Sequence, residues 1–353
     1  MDKKDIKSMN LDELKNDMEE LGEKSFRATQ IYEWMHVKLV SGFDEMTNIS
    51  GKLRGKLGEK YDFTTLEIAD KQVSAMDGTA KYLFRLQDGN LIESVLMKYK
   101  HGNSVCISSQ VGCRMGCKFC ASTIAGLKRN LLPSEMLEQI YRIQRETGER
   151  VSNIVVMGTG EPFDNFDNLI KFLELITNES GLNISARNIT VSTCGIVPKI
   201  IEFADKNLQV TLAISLHAPN NEKRRAMMPI ANRYSIEELL KACDYFYQKT
   251  KRRVTFEYSL AKGVNNSDQD AKELIQLVKS RNCHVNLIPI NPVEELKFQG
   301  SAKKVALEFK NKLEKNKINV TIRSEMGRDI DGACGQLRRR HEENVREDGT
   351  KEC

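Results

Sequence analysis

Cys113, Cys117 and Cys120 stand in a C-x3-C-x2-C spacing within the run C-R-M-G-C-K-F-C. Thiolates are soft ligands that suit zinc or iron–sulfur clusters. A four-iron cluster held by protein ordinarily takes four thiolates. Three on one short loop leave one iron for a ligand that is not protein. Zinc would need a fourth ligand, and no histidine lies close by in sequence, so a redox cluster is the favoured reading. The chain's nine cysteines are odd in number and unevenly spread. In a long chain they read as metal-binding or catalytic thiols, not as a disulfide framework.

Other stretches carry chemistry less specifically. Met157-Gly158-Thr159-Gly160-Glu161-Pro162 offers glycines that let backbone approach a ligand, and a carboxylate suited to an amino group. It lacks the later glycine of a nucleotide fold's G-x-G-x-x-G. Ser215-Leu216-His217-Ala218-Pro219-Asn220 brings a histidine able to act as base or ligand, although a lone histidine is more often structural. Asn291-Pro292, after Pro289, is a rigid turn whose amide is able to hydrogen-bond a ligand. Cys334 lies between small residues in Gly332-Ala333-Cys334-Gly335-Gln336-Leu337. It is sterically open, as a nucleophile needs; the competing reading is a small buried hydrophobe. Cys106 falls seven positions before Cys113, within an expected strand. Cys194, Cys243 and Cys283 read as structural, and Cys353 is terminal.

These residues need elements to bring them together. From residue 104 the sequence alternates strand and helix. Apolar runs at 105–108, 153–157, 189–192, 210–216, 254–260, 285–288 and 319–322 are separated by helical stretches at 133–148, 168–177, 199–205, 235–249, 267–280 and 302–315. Such repetition implies parallel strands joined by right-handed crossovers. A barrel or partial barrel and a doubly wound open sheet both fit. The cysteine loop, Gly158–Pro162, Ser192–Gly195, Ser215–His217 and Asn291 all follow strand ends, which in a barrel share one face. Ahead of this core, residues 71–100 read as a β linker with a hairpin turn at Asp88-Gly89-Asn90. Residues 1–70 read as a small helical domain, with Leu11, Leu14, Met18 and Leu21 on one helix face, Ile31, Trp34 and Met35 on another, and a connection at 44–50. The core runs over 101–340, followed by a tail at 341–353.

Composition narrows the class further. Hydrophobic residues make up 40% of the chain, and no apolar run approaches the roughly 20 residues that span a membrane. The N-terminus has no apolar segment behind it, so a secretory signal is not expected. A net charge of +5 leans toward anionic partners without identifying one. Lys3, Lys4, Lys7, Lys52, Arg54, Lys56 and Lys60 are candidate phosphate contacts in the helical segment, as are Lys128, Arg129, Arg224, Arg225, Arg338, Arg339 and Arg340 in the core. The competing reading for each is a solvated charge.

The motifs in their order, from Cys106-Ile107-Ser108-Ser109-Gln110-Val111-Gly112-Cys113 through Gly158–Pro162, Ser192-Thr193-Cys194-Gly195, Ser215–Pro219, Asn291-Pro292 and Ala333–Leu337, closely resemble the radical S-adenosylmethionine (SAM) adenine-C2 methyltransferases of 23S ribosomal RNA and tRNA, the RlmN family. The three-cysteine loop marks the radical SAM superfamily; Ala333–Leu337 and the Cys106 spacing narrow it to this family. The resemblance implies a partial (β/α)6 TIM-like radical SAM barrel with a small N-terminal helical, RNA-binding domain and a β-hairpin linker. It implies that Cys113, Cys117 and Cys120 hold a [4Fe–4S] cluster. Gly160, Glu161, Ser192, Ser215, Leu216, His217 and Asn291 fall where the family contacts SAM. Cys334 matches the methyl-carrying cysteine, Cys106 the second catalytic cysteine, and Glu93, thirteen positions before Cys106, the proton acceptor. Thr159 departs from the Met or Ser of many members and leaves the glycines and Glu161 intact.

The implied activity is methylation of C2 of adenosine 2503 in 23S rRNA, and of adenosine 37 in some tRNAs. C2 of adenine is electron-poor, so polar transfer of a methyl cation does not serve. In the family one SAM methylates the cysteine matched by Cys334. A second SAM, cleaved by an electron from the cluster, yields the radical that activates that methyl group for attack on C2. Cys106 then resolves the tether by forming a disulfide. The implied partners are protein-poor precursor 23S rRNA, tRNA, and an electron donor such as flavodoxin or ferredoxin. The implied setting is a cytoplasmic monomer with no membrane association. Two alternatives stand beside this reading. One is C8 methylation of the same adenosine, as in the Cfr antibiotic-resistance enzymes, although the Gln110–Gly116 run and the N-terminal region look more like the C2 group. The other is an iron–sulfur or zinc-binding RNA-associated protein without turnover.

Overall fold

The computed structural model describes residues 3–289, 298–324, 326–330 and 337. The N-terminal segment begins with a short strand β1 (Lys4–Asp5), then helices α1 (Leu11–Glu20), α2 (Phe26–His36) and α3 (Gly51–Lys60), and closes with β2 (Tyr61–Asp62), paired parallel to β1. Asn10 starts α1 with a capping box: its side chain accepts from Glu13 N at 2.9 Å while the Glu13 carboxylate accepts from Asn10 N at 2.7 Å. Helix α3 escaped the sequence reading because Gly51, Gly55 and Gly58 give it poor intrinsic propensity. It forms because Leu53 and Leu57, one turn apart, are buried, and the Ser50 side chain caps its first turn.

Next come β3 (Glu67–Val73), β4 (Ala80–Arg85), β5 (Leu91–Tyr99) and β6 (Gly102–Ile107). A two-stranded ribbon, β7 (Gln110–Gly112) with β8 (Leu127–Asn130), frames the cysteine loop. After it the chain alternates α4 (Pro133–Thr147), β9 (Val151–Val156), α5 (Phe166–Thr177), β10 (Ile189–Thr193), α6 (Val197–Asp205), β11 (Thr211–Ser215), α7 (Asn221–Met227), α8 (Ile236–Thr250), β12 (Val254–Leu260), α9 (Asp268–Val278), β13 (Cys283–Pro289), α10 (Lys303–Lys315) and β14 (Val320–Ile322). The sheet order is β14-β13-β12-β11-β10-β9-β6-β5-β4-β3. From β6 to β14 every pairing is parallel and the order runs one way, without the reversal a doubly wound sheet has. This is the partial barrel: six strand–helix units and a seventh short strand. The hairpin expected over 71–100 is present as β4–β5. It is not set apart from the core, because β3 extends it on one side and β5 pairs antiparallel with β6 on the other.

Strand faces divide by chemistry. Ile154, Val156, Val191, Leu212, Ile214, Phe256, Val285 and Leu287 point into the apolar core. Their neighbours in sequence, Ser192, Ser215, Glu257, Ser259 and Arg323 among them, point to the other side and line a cavity. Among the described residues no helix is long and apolar enough to cross a membrane.

The N-terminal helices share one continuous core with the barrel. Polar groups lock the junction. Lys7 is wholly buried, donating to the Glu138 carboxylate of α4 and, at 2.8 Å, to Thr64 O; Arg145 donates to the other Glu138 oxygen at 2.7 Å. Lys7 was a candidate phosphate contact in the sequence. Its burial removes it from that role, and its place over the Phe63 ring, 4.1 Å from the centroid, shows where its charge is spent instead. His36 Nδ1 meets the Tyr141 hydroxyl at 2.8 Å in the same junction. Burial, reinforced by Lys7, pushes His36 down to about 3.

Two measurements follow. Glu138→Ala strands the buried Lys7 charge, and breaking such a pair costs about 3–5 kcal/mol; urea unfolding should show a loss on that scale, and a loss below about 1 kcal/mol would refute the locked junction. His36 is neutral when folded but takes up a proton below about 6.5 when unfolded. Stability should therefore fall as pH drops from about 6.5 toward 3, and less steeply in His36→Gln; equal slopes would remove His36 from the acid response.

Candidate active site

The site begins where β6 ends. Ser108 and Gln139 are both fully buried and joined reciprocally: Ser108 N donates to Gln139 Oε1 at 2.8 Å and Gln139 Nε2 donates to Ser108 O at 3.0 Å. The Ser108 hydroxyl donates to Glu93 O at 2.7 Å and accepts from Thr159 N at 3.0 Å. One serine thus ties β5, β6, α4 and the loop after β9. The glycines of that loop are needed for closeness. A Cβ on Gly158 would lie 2.8 Å from Ile107 backbone, and one on Gly160, at φ +114°, would lie 2.7 Å from Gln110 and Ser109 side-chain atoms.

Glu161 follows, buried, with both carboxylate oxygens engaged: Oε1 accepts from Phe163 N at 3.0 Å and Oε2 from Cys194 N at 2.7 Å. Burial nevertheless pushes its pKa up, against the hydrogen bonds from Thr193 and Cys194. Glu161 therefore couples the ends of β9 and β10 as well as facing the cavity.

The cysteine loop crosses above. Cys113 N donates to Gly126 O at 3.0 Å, Cys120 N donates to Cys117 O at 3.1 Å, and the Thr123 hydroxyl donates to the carbonyls of Cys117 and Cys120. Gly112, at φ +80°, packs so tightly that a Cβ would fall 1.9 Å from Gly126 O. Cys113, Cys117 and Cys120 line one cavity of about 260 Å³ together with Gly160, Glu161, Ser192, Ser215 and His217. Eight of the sequence-predicted site residues therefore meet there. In a four-iron cluster each thiolate takes its own iron corner, and three cysteines lining one cavity suit that arrangement. Burial, with the other thiols and Glu161, pushes Cys113 up to about 12 and Cys117 up as well. Thiolates in this apolar surround need a metal's positive charge.

His217 is neutral. Burial and the nearby Arg224 charge push it down to about 3, and its Nδ1 accepts from Ser259 N at 3.0 Å, which leaves the proton on Nε2. It is thus a donor rather than the base the sequence allowed. Phe119 sets its edge against the ring at 4.9 Å. Leu216 is fully buried and off the cavity lining; its backbone takes part instead, accepting from Arg224 Nε at 3.2 Å. Glu93 and Cys106 lie farther along the cavity-facing side of the sheet. Cys106 pairs with Val95 and Val155, and Glu93, two positions from Val95, shares its face. Glu93 is ion-paired to Lys81 at 3.2 Å, both side chains being buried. Asn291 and Cys334 lie outside the described residues. Leu337, three positions after Cys334 in sequence, is buried against Leu83, the cross-strand partner of Glu93, and Leu91, two positions before Glu93 on β5.

Cys194, read from sequence as structural, also lines the cavity, as do Glu257, Ser259 and Arg323, which were not singled out from sequence. The signal was present in β12: Thr255, Glu257 and Ser259 alternate with Val254, Phe256, Tyr258 and Leu260, the pattern of a strand with one polar face. Glu257 accepts from Asn286 Nδ2 at 2.8 Å across β12–β13. Of the basic residues offered as RNA contacts, Arg224 is wholly buried, and Arg129 is paired with Asp88 and Glu135; Lys128 and Arg225 are exposed.

Comparison with known proteins agrees with this geometry. Residues 107–278 match the radical SAM superfamily, and residues 4–62 match the ribosomal RNA large subunit methyltransferase N-terminal domain. A probable dual-specificity RNA methyltransferase RlmN of Lachnospira eligens is 66% identical over 343 residues, covering 97% of this chain and 98% of that protein. The protein of the same name from Clostridium novyi is 56% identical over 341 residues, covering 97% and 99%. A crystal structure of a radical SAM methyltransferase from Sphaerobacter thermophilus superposes with a TM-score of 0.90 at 42% identity, covering 94% of this chain and 98% of that one.

The crowding at Gly112 can be tested against a matched control. Gly112→Ala and Gly89→Ala both place a side chain at φ +80°, but only the first meets backbone. After anaerobic reconstitution, Gly112→Ala should lose most of its bound iron and sulfide while Gly89→Ala keeps it; equal loading would show that the loop is not held by this contact.

Proposed function

The chain belongs to the RlmN family of radical SAM RNA methyltransferases, and on that premise we propose that it methylates C2 of adenosine 2503 in 23S rRNA and of adenosine 37 in some tRNAs. The observation that carries the reading is the shared sheet face of Glu93 and Cys106, with Leu337 seated beside them. Leu337, three positions after Cys334 in sequence, is seated on this face, which supports assigning the carrier role to Cys334.

When bound, the cluster and SAM supply one-electron cleavage of a carbon–sulfur bond and hence a radical able to act on an electron-poor carbon. The protein's residues do the rest. Cys113, Cys117 and Cys120 are the cluster ligands. Gly160 and Glu161 bring backbone and carboxylate to the amino end of SAM, and Ser192, Ser215, His217 and the Leu216 backbone orient the remainder, with Asn291. His217, protonated on Nε2, donates without changing charge. Cys334 would be the thiol that carries the methyl group, one SAM supplying the methyl and a second the radical chemistry that activates it. Glu93 takes the C2 proton, with the Lys81 ammonium balancing its charge within the buried face. The Cys106 thiolate would then attack the Cys334 sulfur: the disulfide forms, the electron pair of the breaking carbon–sulfur bond stays with the methylene carbon, and that carbon takes up a proton to become the product's methyl group. An exposed or flipped adenine is required, because C2 is closed off inside a stacked duplex. A flavodoxin or ferredoxin as donor, a monomeric state and a cytoplasmic setting complete the proposal.

Reconstituted enzyme incubated with SAM, a reductant and a 23S rRNA fragment should yield 2-methyladenosine on nucleoside analysis. Recovery of 8-methyladenosine would overturn the regiochemistry, and recovery of neither by enzyme with a full cluster would overturn the substrate. Cys106→Ala should accumulate enzyme joined covalently to RNA; free release of methylated RNA would remove Cys106 from the resolving step.

A further inference from the structure

Arg224 sits on α7 beneath the cavity with none of its surface exposed. Its Nη2 donates to Cys194 O at 2.7 Å and Ser215 O at 3.2 Å, and its Nε donates to Leu216 O at 3.2 Å. It therefore ties the ends of β10 and β11, which carry Ser192, Ser215 and His217. Its Nη1 is buried with no partner, and among the described residues no carboxylate lies within ion-pair distance. A guanidinium does not shed its proton to escape burial. An uncompensated buried cation is strongly unfavourable, so a charge of opposite sign belongs nearby.

The surroundings say where. Met227, at the end of α7, accepts from Lys118 N at 2.9 Å inside the cysteine loop. Met227 also shares an apolar cluster with Cys117 and Cys194. Burial pushes the Arg224 guanidinium down, and negative charge on the sulfurs of Cys194 and Cys117 would push it back up. The Glu161 carboxylate, which accepts from Cys194 N, is not in ion-pair contact with Arg224 and spends its two oxygens on backbone amides, so it does not meet the orphaned Nη1.

We propose that Arg224 is the buried counter-cation of the iron–sulfur cluster, a positioning residue whose charge raises the cluster's reduction potential. The inference rests on reading Cys113, Cys117 and Cys120 as cluster ligands. Three thiolates outweigh the positive charge of an iron–sulfide core, so the oxidised site is already anionic. Taking one electron from a one-electron donor makes it more so, with no bond formed or broken. A fixed cation in a low-dielectric surround stabilises the reduced state more than the oxidised one.

The test is a redox titration of the cluster, read by the electron paramagnetic resonance of its reduced form with dithionite as donor, after iron and sulfide have been counted. Wild type, Arg224→Lys and Arg224→Gln are compared. Glutamine keeps hydrogen-bonding capacity and loses the charge; it should lower the reduction equilibrium at least tenfold, about 59 mV for a one-electron couple. Lysine keeps the charge and should stay within threefold of wild type. A glutamine variant with full iron and a potential within threefold of wild type overturns the proposal, because a purely structural role lowers the melting temperature and leaves the potential alone. Lysine falling as far as glutamine overturns it too. If glutamine fails to fold or to bind iron, lysine decides: retention of the potential supports the charge role and a tenfold fall refutes it. Failure of wild type itself to take up iron and sulfide would instead defeat the cluster reading.

Discussion

The buried exchange of hydrogen bonds between Ser108 and Gln139 is the constraint on which the site depends. It lies where the first parallel strand ends and the ligand loop begins. The Ser108 hydroxyl reaches the Glu93 carbonyl on one side and the Thr159 amide on the other, while Gln139 also accepts from the Ser94 hydroxyl at 2.7 Å. Groups from four elements satisfy one another without water. Unmade, each would carry the full desolvation penalty of a buried polar group. The cavity loop at Gly158–Glu161 and the strand bearing Glu93 are thus fixed in one frame through a single residue. The glycines are the complement of this junction: only they let the two loops come near enough for Ser108 to bridge them.

Much of this was legible in the sequence, for physical reasons that differ by residue. The helices read well because their apolar positions recur at helical spacing; Met136, Ile140 and Ile143 of α4 are all buried. The cysteine loop read well because thiolate spacing is chemistry rather than context. What the sequence hid was orientation. The strands read as continuous apolar runs, yet β12 strictly alternates, and its polar half turned out to furnish Glu257 and Ser259 to the cavity. His217 was visible as a histidine but not as a neutral donor, since that follows from burial and from Ser259 N across the strand. Cys194 read as structural, but its amide holds Glu161 and its side chain faces the cavity.

Basic residues show the same limit more sharply. A net charge of +5 invites a map of RNA contacts. Yet Lys7, Lys81 and Arg224 are wholly buried, engaged respectively by Glu138 at the junction of the N-terminal helices with the barrel, by Glu93 on β5, and by a set of strand-end carbonyls. Part of the formal positive charge is internal wiring. Acids are buried as well, among them Glu93, Glu135, Glu138, Glu161 and Glu257, so the net charge is no guide to which cations face solvent; Lys128 and Arg225 do.

The sheet's order has a consequence for how the molecule is made. Along most of the sheet, strands adjacent in space are consecutive in the chain, so each can dock onto its predecessor as it emerges, closing only a short loop every time. The exception is the return near the C-terminus. Gly327 N donates to Asp77, the Ser74 hydroxyl donates to Asp329 and Ala75 N donates to the same carboxylate, across separations of 250 to 255 residues. Leu337 then settles on Leu83 and Leu91. Loop-closure cost grows only logarithmically with length, about 0.6 kcal/mol per doubling, so a few such contacts suffice to hold the return. Its timing is another matter. The face bearing Glu93 and Cys106 is laid down by strands made well before Leu337, so its cover over Leu83 and Leu91 is added only after the barrel strands have been synthesised.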